Sequence, residues 1–172
     1  MTRVSELIAL YEPQTTPFAT HVPLLRASGA GIKTVLELGT GLFSTPLFLD
    51  RGYYPELEAL VSVESDEEWA RLARRGDARH AVVFVAEPIE SYLAGIDLDR
   101  YDLIFVDNST LAERRCDTLR YLSTHVGRSL VVAHDFEVPS YREAAAGFAH
   151  ALIDDRQSPW TALLWRTHPC QN

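Results

Sequence analysis

From Thr34 onward, short β-rich runs alternate with helical segments, and this alternation restricts the fold more than any other feature of the chain. The runs are Thr34–Leu38, Leu60–Glu64, Ala81–Val85, Asp102–Asp107 and Ser129–Ala133, with Trp160–Arg166 as a final strand. Strands separated by helices in this way form βαβ units on a parallel sheet. Helix starts support the parsing at three junctions, where Ser or Thr is followed three places on by Glu: Ser65/Glu68, Thr110/Glu113 and Ser140/Glu143. Each pair is a candidate capping box.

The remaining elements follow from local signals. Residues 1–30 read as a helical preface: Ser5 caps a short helix through Tyr11, Pro13 and Pro17 interrupt it, and Phe18–Ala27 resumes with Gly29 as a stop. Trp69, Leu72 and Ala73 form an apolar stripe on one helix, and Ala112, Cys116 and Leu119 form one on a later helix; both are expected in the core. The last helix is placed at about Tyr141–Leu152, leading through Asp154–Ser158 to one final strand. No repeat or linker divides the 172 residues, so a single domain over 1–172 is expected, with its α/β core at 34–167.

Composition narrows the function. A net charge of −8, with Lys33 the sole lysine, provides no broad cationic surface for a phosphate backbone, so nucleic acid is not an expected partner. The N-terminal MTRVSELIALYEP has only a brief apolar run, interrupted by Glu6, so neither a secretory signal nor a membrane partner is expected and a cytoplasmic location follows. Cys116 and Cys170 lack the spacing of a zinc site or a disulfide framework.

Ligands of an open α/β sheet bind beyond the carboxyl ends of the strands. Here those ends carry Glu37 to Gly41, Glu64, Ala86 with Glu87, Asp107 with Asn108, and His134 with Asp135. In Val35–Thr45, VLELGTGLFST, an apolar run ends in an acid-bearing glycine turn that brings bare backbone against a ligand. Glu37 inside that run needs a cationic or multiply hydrogen-bonding partner, either a ligand ammonium, directly or through water, or the backbone N–H groups of its own turn. Glu64 faces the turn from the next strand, where it either accepts from two ribose hydroxyls or favours the positive end of the following helix. Asp107, His134 and Asp135 meet at neighbouring strand ends. His134 is a candidate general base or a satisfied structural histidine, and the aspartates either serve a site or cap their strands. His21, in the preface, is within reach of folding over them.

ELGTG, the acid ending LVSVESDEEW, the FVAEP junction, YDLIFVD and SLVVAHD together resemble the class I S-adenosylmethionine-dependent methyltransferases, from about Thr34 to Asp135. The resemblance implies a Rossmann-like three-layer α/β/α sandwich with a mostly parallel sheet of about six or seven strands. It implies S-adenosylmethionine as cofactor. Glu37 would hold its methionine part, Gly39, Thr40 and Gly41 would approach it, and Ser44 with Thr45 would cap the following helix and add polar contacts. Glu64 with Ser65 would bind ribose, Ala86 with Glu87 would meet adenine, and Asp107, with His134 and Asp135, would lie over the cofactor. Some oxygen-methylating members hold magnesium or a related ion at similar strand ends, which makes Asp107 and Asp135 candidate ligands for a divalent cation such as Mg2+.

Two departures stand out. Phe43 occupies the place of the family's usual third glycine, and the single final strand leaves the sheet edge unfinished, which would need covering or pairing, as in a homo-oligomer. The expected activity is methylation of a small-molecule acceptor at oxygen, catalysed with Asp107, His134 and Asp135. The alternatives are a noncatalytic cofactor-binding or interaction protein of the same fold and an NAD(P)-dependent oxidoreductase, whose dinucleotide fingerprint uses a related turn.

Overall fold

All five internal runs are parallel strands, and their bounds move by a residue or less at most ends. The computed structural model describes Glu6 and residues 16–74, 76–86 and 88–167, so the expected helix from Ser5 to Tyr11 lies, apart from Glu6, outside the described residues. The strands are β1 (Thr34–Leu38), β2 (Ala59–Glu64), β3 (His80–Phe84), β4 (Leu103–Val106), β5 (Leu130–His134), β6 (His150–Asp154) and β7 (Thr161–Trp165). The α-helices are α1 (Val22–Ser28), α2 (Ser44–Leu49), α3 (Glu67–Ala73), α4 (Ile89–Leu93), α5 (Ala112–His125) and α6 (Pro139–Ala144). Strand order is β3-β2-β1-β4-β5-β7-β6, with β7 antiparallel to both neighbours. The chain runs outward from β1 to β3 and then crosses back to β4, so order reverses between β1 and β4.

Successive residues of the central strands serve opposite faces. Leu36, Leu38, Ile104, Val106 and Val131 pack in one apolar layer with α4, α5 and α6, whereas Val35, Leu103, Phe105 and Val132 pack in the other with α1 and α2. The result is a three-layer α/β/α sandwich around a seven-stranded sheet. Among the described residues no helix is long and apolar enough to cross a membrane.

Several local expectations are corrected. The helix placed at Tyr141–Leu152 ends at Ala144, and the chain returns as β6, antiparallel to β7 from His150↔Trp165 to Asp154↔Thr161. Gly147 lies between them where a Cβ would come within 2.8 Å of Ser123 Oγ and 3.0 Å of its carbonyl oxygen. The chain there runs too close to α5 for a continuing helix of larger residues. The expected unfinished edge is therefore a complete antiparallel pair.

The three capping boxes do not form either. Asp66 caps α3 by accepting from Trp69 N–H at 2.9 Å, and the N-cap residues of α5 and α6 are Leu111 and Val138, neither with a side-chain cap bond. The α3 stripe is only partly core, since Ala70 and Ala73 are buried but Trp69 and Leu72 are 41% and 50% exposed. On α5, Cys116 and Leu119 are buried and Ala112 is exposed. The preface also divides: a 3-10 turn at Pro17–Ala19 precedes α1, whose C-cap is Gly29.

Candidate functional site

Glu37 lies on the central strand, fully buried. Its carboxylate accepts from three hydroxyls: Ser44 Oγ at 2.6 Å, Thr45 Oγ1 at 2.9 and 3.0 Å, and Ser62 Oγ at 2.5 Å. Strand register supplies Ser62, which pairs with Glu37 across the β1–β2 ladder and so shares its face. Ser44 and Thr45 come from the start of α2, which has no side-chain cap bond of its own. Their hydroxyls, expected to cap that helix or to meet the cofactor, are turned inward to Glu37. Burial raises the Glu37 pKa to about 7, against the opposing pull of the Ser44, Ser62 and Thr45 hydrogen bonds. The donors are thus hydroxyl groups rather than the backbone N–H groups of the turn.

The turn that follows is built from bare backbone. Gly39 adopts φ +86°, and a Cβ there would lie 2.3 Å from the Asp107 carbonyl oxygen, so the turn rests directly on the end of β4. A Cβ on Gly41 would lie 2.5 Å from Ser44 Oγ. Phe43, where a third glycine was expected, takes a helical conformation at the N-cap of α2. The family-like turn is therefore closed by a helix start that requires no glycine.

Glu64 clasps the turn from β2. Its Oε2 accepts from Thr40 N–H at 2.8 Å and Thr40 Oγ1 at 2.9 Å, while Oε1 accepts from the N–H groups of Ser65 at 2.8 Å and Asp66 at 3.0 Å. One carboxylate thus joins the glycine turn to the start of α3. Beside it runs a shallow groove of about 170 Å3 lined by Thr40, Gly41, Leu42, Trp69, Leu72 and Ala73. The exposed faces of Leu42, Trp69 and Leu72 make it apolar, and Ala86 lies exposed just beyond β3, after the half-exposed Phe84. Glu87 lies outside the described residues.

Asp107, Asp135 and His134 converge at the ends of β4 and β5, and a fourth residue holds them. Arg115, 3% exposed, reaches from α5 to pair with Asp107 Oδ1 at 2.7 Å and, more closely still, with Asp135 Oδ2; it also donates to the Ser109 carbonyl at 2.5 Å. The cation between the two aspartates is therefore a guanidinium. His134 Nδ1 faces Asp107 Oδ2 at 3.5 Å and Asp135 Oδ1 at 3.6 Å, while Nε2 is 2.8 Å from Thr20 Oγ1. Burial works against the Asp107 charge, but the His134 imidazole and the Arg115 guanidinium outweigh it and hold its pKa below the ordinary value.

His21 covers this group from the preface, its ring 4.9 Å from that of His134 and 5.0 Å from that of Phe105. Both its ring nitrogens are buried without a hydrogen-bond partner. Burial, reinforced by His134 and opposed by Asp107, lowers its pKa to about 3, so the imidazole is neutral.

Two of these residues carried signals in the sequence. Ser62 is the polar interruption of the apolar run ALVSVE, and Arg115 lies on the same helix face as Leu119 and Leu122. Thr20 carried none, because its contact with His134 depends on how the preface folds back.

Solved structures share this architecture. A spermidine synthase from Thermotoga maritima superposes with a TM-score of 0.60 at 15% identity over 84% of this chain, which spans 56% of that protein's length. A candidate methyltransferase from Pseudomonas syringae gives a TM-score of 0.57 at 14% identity, covering 96% of this chain and 97% of that one. Precorrin-6y C5,15-methyltransferase from Geobacter metallireducens gives 0.55 at 11% identity, covering 91% and 94%. No protein-family model and no curated protein matches the sequence. Strand order and these superpositions together establish that the chain has the class I S-adenosylmethionine-dependent methyltransferase fold.

Proposed function

We propose that the chain binds S-adenosylmethionine at the glycine turn and methylates a small molecule, with oxygen as the acceptor atom. The observation that carries this reading is the pair of acids around the turn, Glu37 beneath it and Glu64 across it, at the point where strand order reverses. The residues fit the cofactor in two respects. Gly39 and Gly41 leave backbone bare where a ligand approaches, and the groove offers the apolar surface of Trp69 and Leu72 beside the polar Thr40. Ribose hydroxyls would exchange with the Thr40 bonds to Glu64, with Ser65 adjacent, and adenine would lie toward Ala86 and Glu87. Glu37 would act by fixing the turn through Ser44 and Thr45, with any bond to the ligand amine relayed by water.

S-adenosylmethionine supplies an electrophilic methyl group, and the protein's part is to align an acceptor behind it. Asp107 and Asp135, fixed by Arg115, would orient the acceptor. His134 would take the proton that leaves a hydroxyl as the new carbon–oxygen bond forms. A second reading, a noncatalytic binding protein, is favoured by one observation: Glu37, Glu64, Asp107 and Asp135 are all already engaged by donors of this chain.

Calorimetric titration with S-adenosylmethionine, S-adenosylhomocysteine and NAD, with and without Mg2+, tests the cofactor assignment that both readings share. Both adenosyl ligands are expected to bind, more weakly by about tenfold or more in Glu64→Gln. Binding of NAD alone would overturn the proposal. A methyl-release assay across phenols, sugars and small carboxylic acids then distinguishes an enzyme from a binding protein.

A further inference from the structure

A buried imidazole with neither nitrogen bonded is an anomaly, because buried polar atoms are nearly always partnered and desolvation without a partner is unfavourable. His21 is such a residue. It is aimed at two others whose remaining donor atoms face each other at 3.5 Å. Thr20 engages Nε2 of His134, which leaves Nδ1 facing inward, and Arg115 engages Oδ1 of Asp107, which leaves Oδ2 facing the same space. One donor atom from each of His21, Asp107 and His134 lies within 4.8 Å of the others.

We propose that His21, Asp107 and His134 form a binding site for a divalent transition metal. Tetrahedral ligands at about 2.1 Å from zinc lie roughly 3.4 Å from one another, so small side-chain rotations would close the set around an ion. Two imidazoles and one carboxylate suit Zn2+, Fe2+ or Co2+; Mg2+ prefers six oxygen ligands and retains its waters. Thr20 and Arg115 are the outer contacts that hold two ligands in position.

Charge favours the same occupant. Arg115 faces the carboxylates of both Asp107 and Asp135, so with neutral imidazoles the cluster carries a net charge of about −1. The Asp107 side chain is 30% exposed, which provides an entry path while the two histidines stay buried. Three protein ligands leave a coordination position for water or for an oxygen of a bound molecule. The site shares Asp107 and His134 with the acceptor side of the methyl-transfer reading, but none of its three ligands touches the groove or the Glu64 clasp, so metal binding is tested apart from adenosyl binding.

The test uses the full chain after treatment with a chelator. Calorimetry is expected to detect one Zn2+ per chain, Co2+ to give visible ligand-field absorption that Zn2+ displaces, and millimolar Mg2+ to displace neither. His21→Gln and Asp107→Asn, each checked for folding by circular dichroism, are expected to weaken Zn2+ binding by about 100-fold, and Thr20→Val by about tenfold. Zinc-edge X-ray absorption of the unmutated protein is expected to carry the scattering of two imidazoles, a result that does not depend on any variant folding. Absence of stoichiometric binding, binding undiminished in both ligand variants, or a spectrum without imidazole would overturn the proposal. S-adenosylmethionine binding is measured in parallel, so failure here is distinguishable from failure of the function proposed above.

Discussion

Glu37 is held by hydroxyl groups, which distinguishes it from a carboxylate paired with a cation. Three donors satisfy its oxygens without neutralising the charge, and burial leaves its pKa at about 7 against an ordinary 4.5. A carboxyl group whose folded pKa is raised stabilises the fold fully below about pH 4.5 and loses that contribution as pH rises through 7. The loss is roughly 3 kcal/mol at most. Denaturant unfolding of the native chain and of Glu37→Gln, measured from pH 4.5 to 8, should therefore diverge, the native chain declining relative to the variant until about pH 7. Parallel curves would show that the hydroxyl groups hold a full charge without penalty. The acid itself was legible, because a carboxylate within an apolar run before glycine has few reasons to be there. Its partners were less so: Ser62 requires the β1–β2 register, and Ser44 and Thr45 equally suited the helix cap they were expected to form.

At the scale of elements, α5 joins the fold to the acceptor side of the site. Arg115 rides on the helix face of Leu119 and Leu122, so packing of α5 on the sheet fixes where the guanidinium meets the ends of β4 and β5. Arg115→Met would keep the packing and leave two like carboxylates facing each other. Because those carboxylates are about a third exposed, we expect a loss on the order of 2 kcal/mol rather than the larger penalty of a sealed ion pair. Thermal unfolding at neutral pH checks it, and partial recovery under mild acid, as a carboxylate takes up a proton, would identify repulsion as the cause. An unchanged midpoint at neutral pH would mean that the guanidinium only just offsets its own desolvation. The helical character of α5 was readable from its stripe. The end of α6 was not, since the alanine-rich segment after Tyr141 favours helix locally and only pairing with β7 and the close pass at Gly147 make His150–Asp154 a strand. Trp69 and Leu72 mislead for the related reason that an apolar stripe marks a face without saying what covers it.

For the whole molecule, the question is how the two halves of the site communicate across the sheet. The physical joint is Gly39, whose backbone lies so close to the Asp107 carbonyl that even a methyl group would collide with it. A ligand that braces the glycine turn therefore braces the end of β4 from which the Asp107 carboxylate projects, and an ion on that carboxylate braces the turn in return. Ordering paid for by the first ligand is not paid again by the second, so S-adenosylmethionine and Zn2+ should bind with positive cooperativity. Linkage requires each to raise the affinity of the other by the same factor, about fivefold or more for a coupling of 1 kcal/mol. Titrating each ligand in the presence and absence of the other measures both arms. Gly39→Ala, which forces a side chain onto a positive φ and onto β4, should weaken both ligands and lower stability by about 2 kcal/mol. Glu64→Gln should weaken the adenosyl ligand alone. Equal affinities with and without the second ligand would mean that the sheet holds the two half-sites rigid already, and that their contact at Gly39 serves packing rather than communication.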